Sequence, residues 1–213
     1  MNAQDFISRH APTWHATWQT LCGQRGDAAL LQSLVTRYSE PHRHYHTLDH
    51  LDACLRHLPA LRGLATYPDE VALALWFHDA IYDIGAADNE RRSADWAVKS
   101  LLAAKVEAAV TQRVSELILV TRHEVMPQTV DEQIMLDVDL AILGTRAGVF
   151  DGYEGQVRAE YRTVPEPLFR ANRRRILQGF LARGRIYHTD PFYGRFETQA
   201  RLNLARSIAA LHD

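Results

Sequence analysis

No stretch of this sequence approaches the ~18 consecutive apolar residues that a membrane-spanning helix needs, so no such helix and no membrane partner are expected. The opening residues, MNAQDFISRHAPTW, lack an apolar core, so no signal peptide is expected either. Cysteine is nearly missing. Cys22 and Cys54 have no CxxC spacing and read as free thiols in a reducing cytoplasm, with one disulfide as the alternative. Charge of one sign is missing too. The formal net charge of -2 offers no bulk attraction to a nucleic-acid polymer or an anionic membrane. Glycine and proline are sparse and sit at boundaries, and period-two alternation is hard to find.

What is present is three-to-four spacing of apolar residues, repeated along the chain. The spacing predicts helices over 6–22, 28–38 and 47–58. A helix introduced by Pro68 and Asp69 carries VALALWFHDAIY as far as Tyr82. Further helices are expected over 90–103, 105–121 and 131–143, the last stopped by Gly144 in a C-terminal capping position. Gly148, Gly152 and Gly155 loosen the next segment, leaving a short helix over 155–161. Helices over 167–183 and 196–211 complete the chain. No linker, repeat or low-complexity tract interrupts it. The expectation is one all-α domain over residues 1–213, a compact multi-helix bundle, since nothing supplies the strands of an α/β alternation.

The chain is rich in histidine, with eleven. Five of them, His42, His44, His46, His50 and His57, fall in one short window. His46 and His50 are four apart and share a helix face, which Cys54 and His57 continue. In WFHDAIYD, His78 and Asp79 follow a strongly apolar run. Adjacent helical residues diverge by about 100°, so both reach one ion only at the side or the end of that helix. In IMLDVDLAILG, Asp137 and Asp139 sit inside another apolar helix, where an unpaired carboxylate is costly. Imidazole and carboxylate from three chain regions suit a divalent transition ion better than a cysteine-rich structural zinc.

The order His50…His78-Asp79…Asp139 resembles the HD superfamily of metal-dependent phosphohydrolases. YHTLDH, from Tyr45, is similar to the YHNxxH stretch of cyclic-nucleotide phosphodiesterases, and DVDLAILG to the closing D-A-D-x-L helix of HD domains. Over nearly its full length the chain resembles a group of bacterial HD proteins that share PHRHYHTLDH, WFHDAIYD with DNERRSA, and ARLNLARSI. The resemblance implies an HD-like bundle with His50, His78, Asp79 and Asp139 as metal ligands, with His46 as the alternative to His50 and Asp137 as the alternative to Asp139, Asp137 being otherwise a supporting or helix-packing residue. The ion would be Mn, Fe, Co, Ni, Zn or Mg. It implies a small phosphorylated metabolite or nucleotide as substrate, and it leaves room for a homo-oligomer.

A bound divalent ion lowers the pKa of a coordinated water toward ~7, so hydroxide could attack phosphorus in line. Asp79 would steer that water, and His46 would protonate the leaving oxygen. His123, in VTRHE, is a candidate for an extra ligand or phosphate donor, or an ordinary helix-end histidine. Arg43, Arg91, Arg92 and Arg122 are the nearest candidates for phosphate, each with a solvated surface role as the alternative. Asp83 falls where guanosine-polyphosphate hydrolases of this superfamily carry an acidic residue, whereas Tyr82 replaces the glutamate that precedes it there. Asp88 suits a helix N-cap. Two other readings remain: a metal-binding HD protein without turnover, and oxygenase chemistry at a di-iron site.

Overall fold

The computed structural model describes residues 1–211 and, among them, helices and no strand, as the periodicity predicts. Two compact units divide the chain, one over Met1–Leu136 and the other from Asp137 onward. The first holds α1 (Ala3–Cys22), α2 (Ala28–Tyr38), α3 (Leu48–His57), α4 (Pro68–Phe77), α5 (Asn89–Ala103) and α6 (Ala108–Leu119). The division falls within α7 (Val130–Asp139). The second holds α8 (Ala147–Glu160), α9 (Glu166–Leu181) and α10 (Asp190–Ala210). No helix among the described residues is long and apolar enough to cross a membrane.

Local chemistry starts and stops these helices. Asn2, Asp27 and Thr47 each accept a backbone N–H in the first turn of α1, α2 and α3, which satisfies donors a helix start leaves open. Gly23, at φ +69°, closes α1 by donating its N–H to Gln19, a left-handed position that favours glycine.

The first unit is organised around α4. Every residue from Val71 to Phe77 is fully buried, and each large apolar side chain so placed contributes about 1.5–3 kcal/mol. The helix packs against α1, α3, α5 and α6. Phe6 and Trp14 of α1 set their rings edge-on to Trp76, at 5.6 and 5.1 Å. Gly26 lies so close under Trp14 that an added Cβ would meet its Nε1 at 2.5 Å. Polar residues join the helices. Glu70 of α4 accepts two hydrogen bonds from Arg113 of α6. Asp52 of α3 accepts from Arg9 and His10 of α1 and from Arg56. Asp131 of α7 accepts the N–H groups of Thr66 and Tyr67, ahead of α4.

In the second unit, Phe150, Tyr187, Phe192 and Phe196 are buried. Two buried carboxylates hold the segment before α10. Asp137 accepts from the N–H groups of His188 and Thr189 and from the Thr189 hydroxyl, each at 2.7 Å. Glu197 accepts from the N–H groups of Ile186 and Tyr187. Arg173 is buried against Glu154.

Several element ends differ from the sequence expectation. The glycine-loosened segment is helical throughout, because Phe150, Tyr153 and Val157 bury one face while a Cβ at Gly148, Gly152 or Gly155 would meet nothing. The last helix starts at Asp190 rather than Phe196, and Tyr193 is exposed while Phe192 and Phe196 are buried. Gly144 is not a left-handed cap. It sits in a 3-10 turn after α7, where an added Cβ would lie 2.5 Å from Phe196 Cβ. The most consequential difference is α4, which ends at Phe77 instead of continuing to Tyr82.

Candidate metal centre

The site in the first unit is built by the turn that follows α4 and by the facing side of α3. The turn is fixed through its backbone. Arg43 donates to the carbonyls of Asp79 (2.6 Å) and Ala80 (3.1 Å) and to that of His46. His42 donates to the Tyr82 carbonyl, and Ser93 of α5 accepts the Ile81 N–H. Asp83 and Asn89 exchange two further bonds. Partners from outside thus take the backbone groups that helix continuation would need. This is why α4 stops before its apolar pattern does.

His78 is therefore delivered at the C-terminal end of α4. Its Nδ1–H donates to the Leu75 carbonyl at 2.8 Å. That bond fixes the tautomer of the neutral ring, leaving a lone pair on Nε2. His78 Nε2 lies 3.1 Å from His50 Nε2. The Asp79 carboxylate stands beside both, with Oδ2 at 3.1 Å from His78 Nε2 and 3.4 Å from His50 Nε2. His50 is buried on α3, and Cys54, one turn further on, holds its Sγ 3.8 Å from His50 Nε2. His50, Cys54 and His78 each offer one ligand atom, and these lie within 4.8 Å of one another. A set of this kind could hold a metal ion.

Burial by itself would raise the Asp79 carboxyl. The facing imidazoles of His78, His46 and His50 outweigh it and hold the group well below the usual carboxylate range. Burial pushes the Tyr38 hydroxyl up to about 12. The hydroxyl accepts the Asp79 N–H and donates to the Trp76 carbonyl. His46 stacks on Tyr82, with ring centroids 4.0 Å apart, and lies 6.0 Å from the His50 ring.

Other residues named from the sequence are placed as follows. Asp137 is saturated by its three donors, which makes it a packing and anchoring residue. Asp139 is the half-buried last residue of α7. His123, at φ +57°, ends a 3-10 turn after α6 and donates its N–H to Val120. Asp83 is 57% exposed and paired with Arg92 at 2.6 Å. Asp88 stands at the N-cap of α5 without a side-chain capping bond. Of the arginines considered for phosphate, Arg43 is buried and committed to carbonyls rather than solvated, Arg92 binds Asp83, and Arg122 binds Glu124. Cys54 is the residue the ligand assignment passed over. Its i, i+4 spacing from His50 is the signal that could have found it. Neither Cys54 nor Cys22 is in a disulfide.

No protein-family model matches the chain, and no curated protein or solved structure matches it either.

Proposed function

We propose that this chain is a metal-dependent phosphohydrolase that cleaves a phosphoester of a small metabolite or nucleotide, with a divalent ion held at the turn after α4. One observation carries the metal part. His78 Nε2, whose lone pair is fixed by the Nδ1–H bond to Leu75, faces a second imidazole nitrogen at 3.1 Å and a carboxylate oxygen at 3.1 Å. Two imidazole nitrogens and a carboxylate oxygen converge there, a donor set that suits a divalent transition ion. The hydrogen bond on the far nitrogen is what metal-binding histidines commonly have.

The hydrolytic part rests on the resemblance of the motif order His50…His78-Asp79…Asp139 to that of HD phosphohydrolases. A bound divalent ion would supply hydroxide at neutral pH by lowering the pKa of coordinated water toward ~7. Around it, this chain's residues have distinct tasks. Asp79 accepts a hydrogen bond from the attacking water and orients it. His46, held flat against Tyr82, donates a proton to the leaving oxygen. Arg43 fixes the turn from behind and is not available to phosphate.

The test is metal analysis of the purified protein, followed by screening phosphomonoesters, phosphodiesters and nucleotides. Wild type is compared with His78→Ala and Asp79→Ala. Metal at one equivalent or more and a metal-dependent hydrolysis lost in both variants is the expected result. Full metal occupancy without hydrolysis of any substrate would leave a metal-binding module without turnover. No metal under replete conditions would remove both.

A further inference from the structure

We infer that Cys54 is a ligand of the proposed ion, through sulfur, so that the centre selects a thiophilic divalent metal such as Zn²⁺ or Co²⁺ over Mg²⁺. This rests on the reading that His50 and His78 bind a metal. It departs from the all-nitrogen-and-oxygen set that the motif order implies.

The distances carry the inference. Metal bonds of about 2.0–2.1 Å to imidazole and about 2.3 Å to thiolate, opened to a tetrahedral angle, set two nitrogens ~3.3 Å apart and nitrogen and sulfur ~3.6 Å apart. The corresponding separations here are 3.1 Å between His50 Nε2 and His78 Nε2 and 3.8 Å between Cys54 Sγ and His50 Nε2; Sγ also lies 3.9 Å from His50 Nδ1, beside the ring, so a turn about the Cys54 Cα–Cβ bond brings sulfur onto the ion. Asp79 Oδ2, at 3.4 and 3.1 Å from the two imidazoles, also fits such edges. The i, i+4 spacing on α3 puts His50 and Cys54 on one face, and both are buried. The metal–sulfur bond would form as the thiol proton passes to solvent, with no oxidant or reductant required. A soft thiolate suits Zn²⁺, Co²⁺ and Fe²⁺, while Mg²⁺ takes oxygen ligands.

Cobalt is the probe. The protein is stripped with a chelator, loaded with Co²⁺ alone and followed by absorption, as wild type, Cys54→Ser, Cys54→Ala and Cys22→Ser. Wild type and Cys22→Ser are expected to show an intense near-ultraviolet band from thiolate-to-cobalt charge transfer. Both Cys54 variants are expected to lose it while binding Co²⁺ more weakly. A lost ligand should cost at least what a lost supporting partner costs, roughly 10–100-fold in affinity. Circular dichroism melts check that the variants are folded. The wild-type spectrum decides the matter even if a variant does not fold. Stoichiometric Co²⁺ without the band overturns the sulfur ligand and leaves the metal centre standing. The band persisting in Cys54→Ala also overturns it. No Co²⁺ bound by wild type overturns the metal centre and the sulfur ligand together.

Discussion

Asp79 and Asp137 look alike in sequence, each an aspartate set in or just after an apolar helical run. The structure gives them opposite surroundings. Asp137 is fully buried and faces donors only: two backbone N–H groups and a hydroxyl. Burial outweighs those bonds and raises its carboxyl to about 6. Asp79 has its side chain 16% exposed and faces imidazole nitrogens, one of which has its other nitrogen already committed as a donor. A carboxylate saturated by donors anchors a segment. A carboxylate beside two imidazole nitrogens is placed as a candidate metal ligand. The comparison separates a packing aspartate from a candidate ligand where apolar context cannot.

The largest effect should come from what holds the Asp79 turn. Arg43→Ala strips a buried guanidinium from Glu40 and three carbonyls, and breaking such a network costs on the order of 3–5 kcal/mol. Urea denaturation reads this loss. Arg43→Lys should recover only part of it, because the planar fork is gone. Next is Asp137→Ala, which leaves buried donors unmade at about 1–3 kcal/mol each, so a loss near 3 kcal/mol is expected. Metal content per folded molecule should stay at the wild-type level. A fall would collapse the distinction between the two aspartates.

Asp79→Asn should behave in the opposite way. Metal affinity, measured by competition with a chromophoric chelator, should fall roughly 10–100-fold. Stability of the stripped protein should fall less than in Asp137→Ala, since the side chain anchors no backbone group. The smallest effect concerns His10, away from the metal turn. Burial lowers its pKa, against the opposing pull of Asp52. The unfolded chain therefore takes up a proton below pH ~6.5 that the folded chain resists. Stability is full above that value and declines as pH falls below it. The melting temperature of wild type should drop more between pH 7.5 and 5.5 than that of His10→Gln.

Helix positions in this chain were legible because apolar spacing alone sets them, and α2 matches its expected bounds at both ends. The end of α4 was not, because its stop comes from Arg43, His42 and Ser93, which are distant in sequence from the helix they interrupt. Glycines in α8 were read as loosening, yet they face open space where only their modest propensity cost applies. In the site, His50, His78 and Asp79 came from motif order, and the structure brings them together within one unit. Cys54, noted on the His50 face, was passed over because the motif order that assigned the ligands contains only histidine and aspartate. Asp83 shows the reverse: the resemblance to guanosine-polyphosphate hydrolases suggested a role, and the turn points it at Arg92 on the surface.

Because the turn after α4 is gripped by its carbonyls and N–H groups, its backbone path depends little on the half-buried side chain at Ile81. Ala80 and Tyr82 are buried, and Tyr82 packs flat on His46. Position 81 is therefore where the turn can change its side chain without disturbing how His78 and Asp79 are presented, and under the proposed function it is the natural place to look for altered specificity.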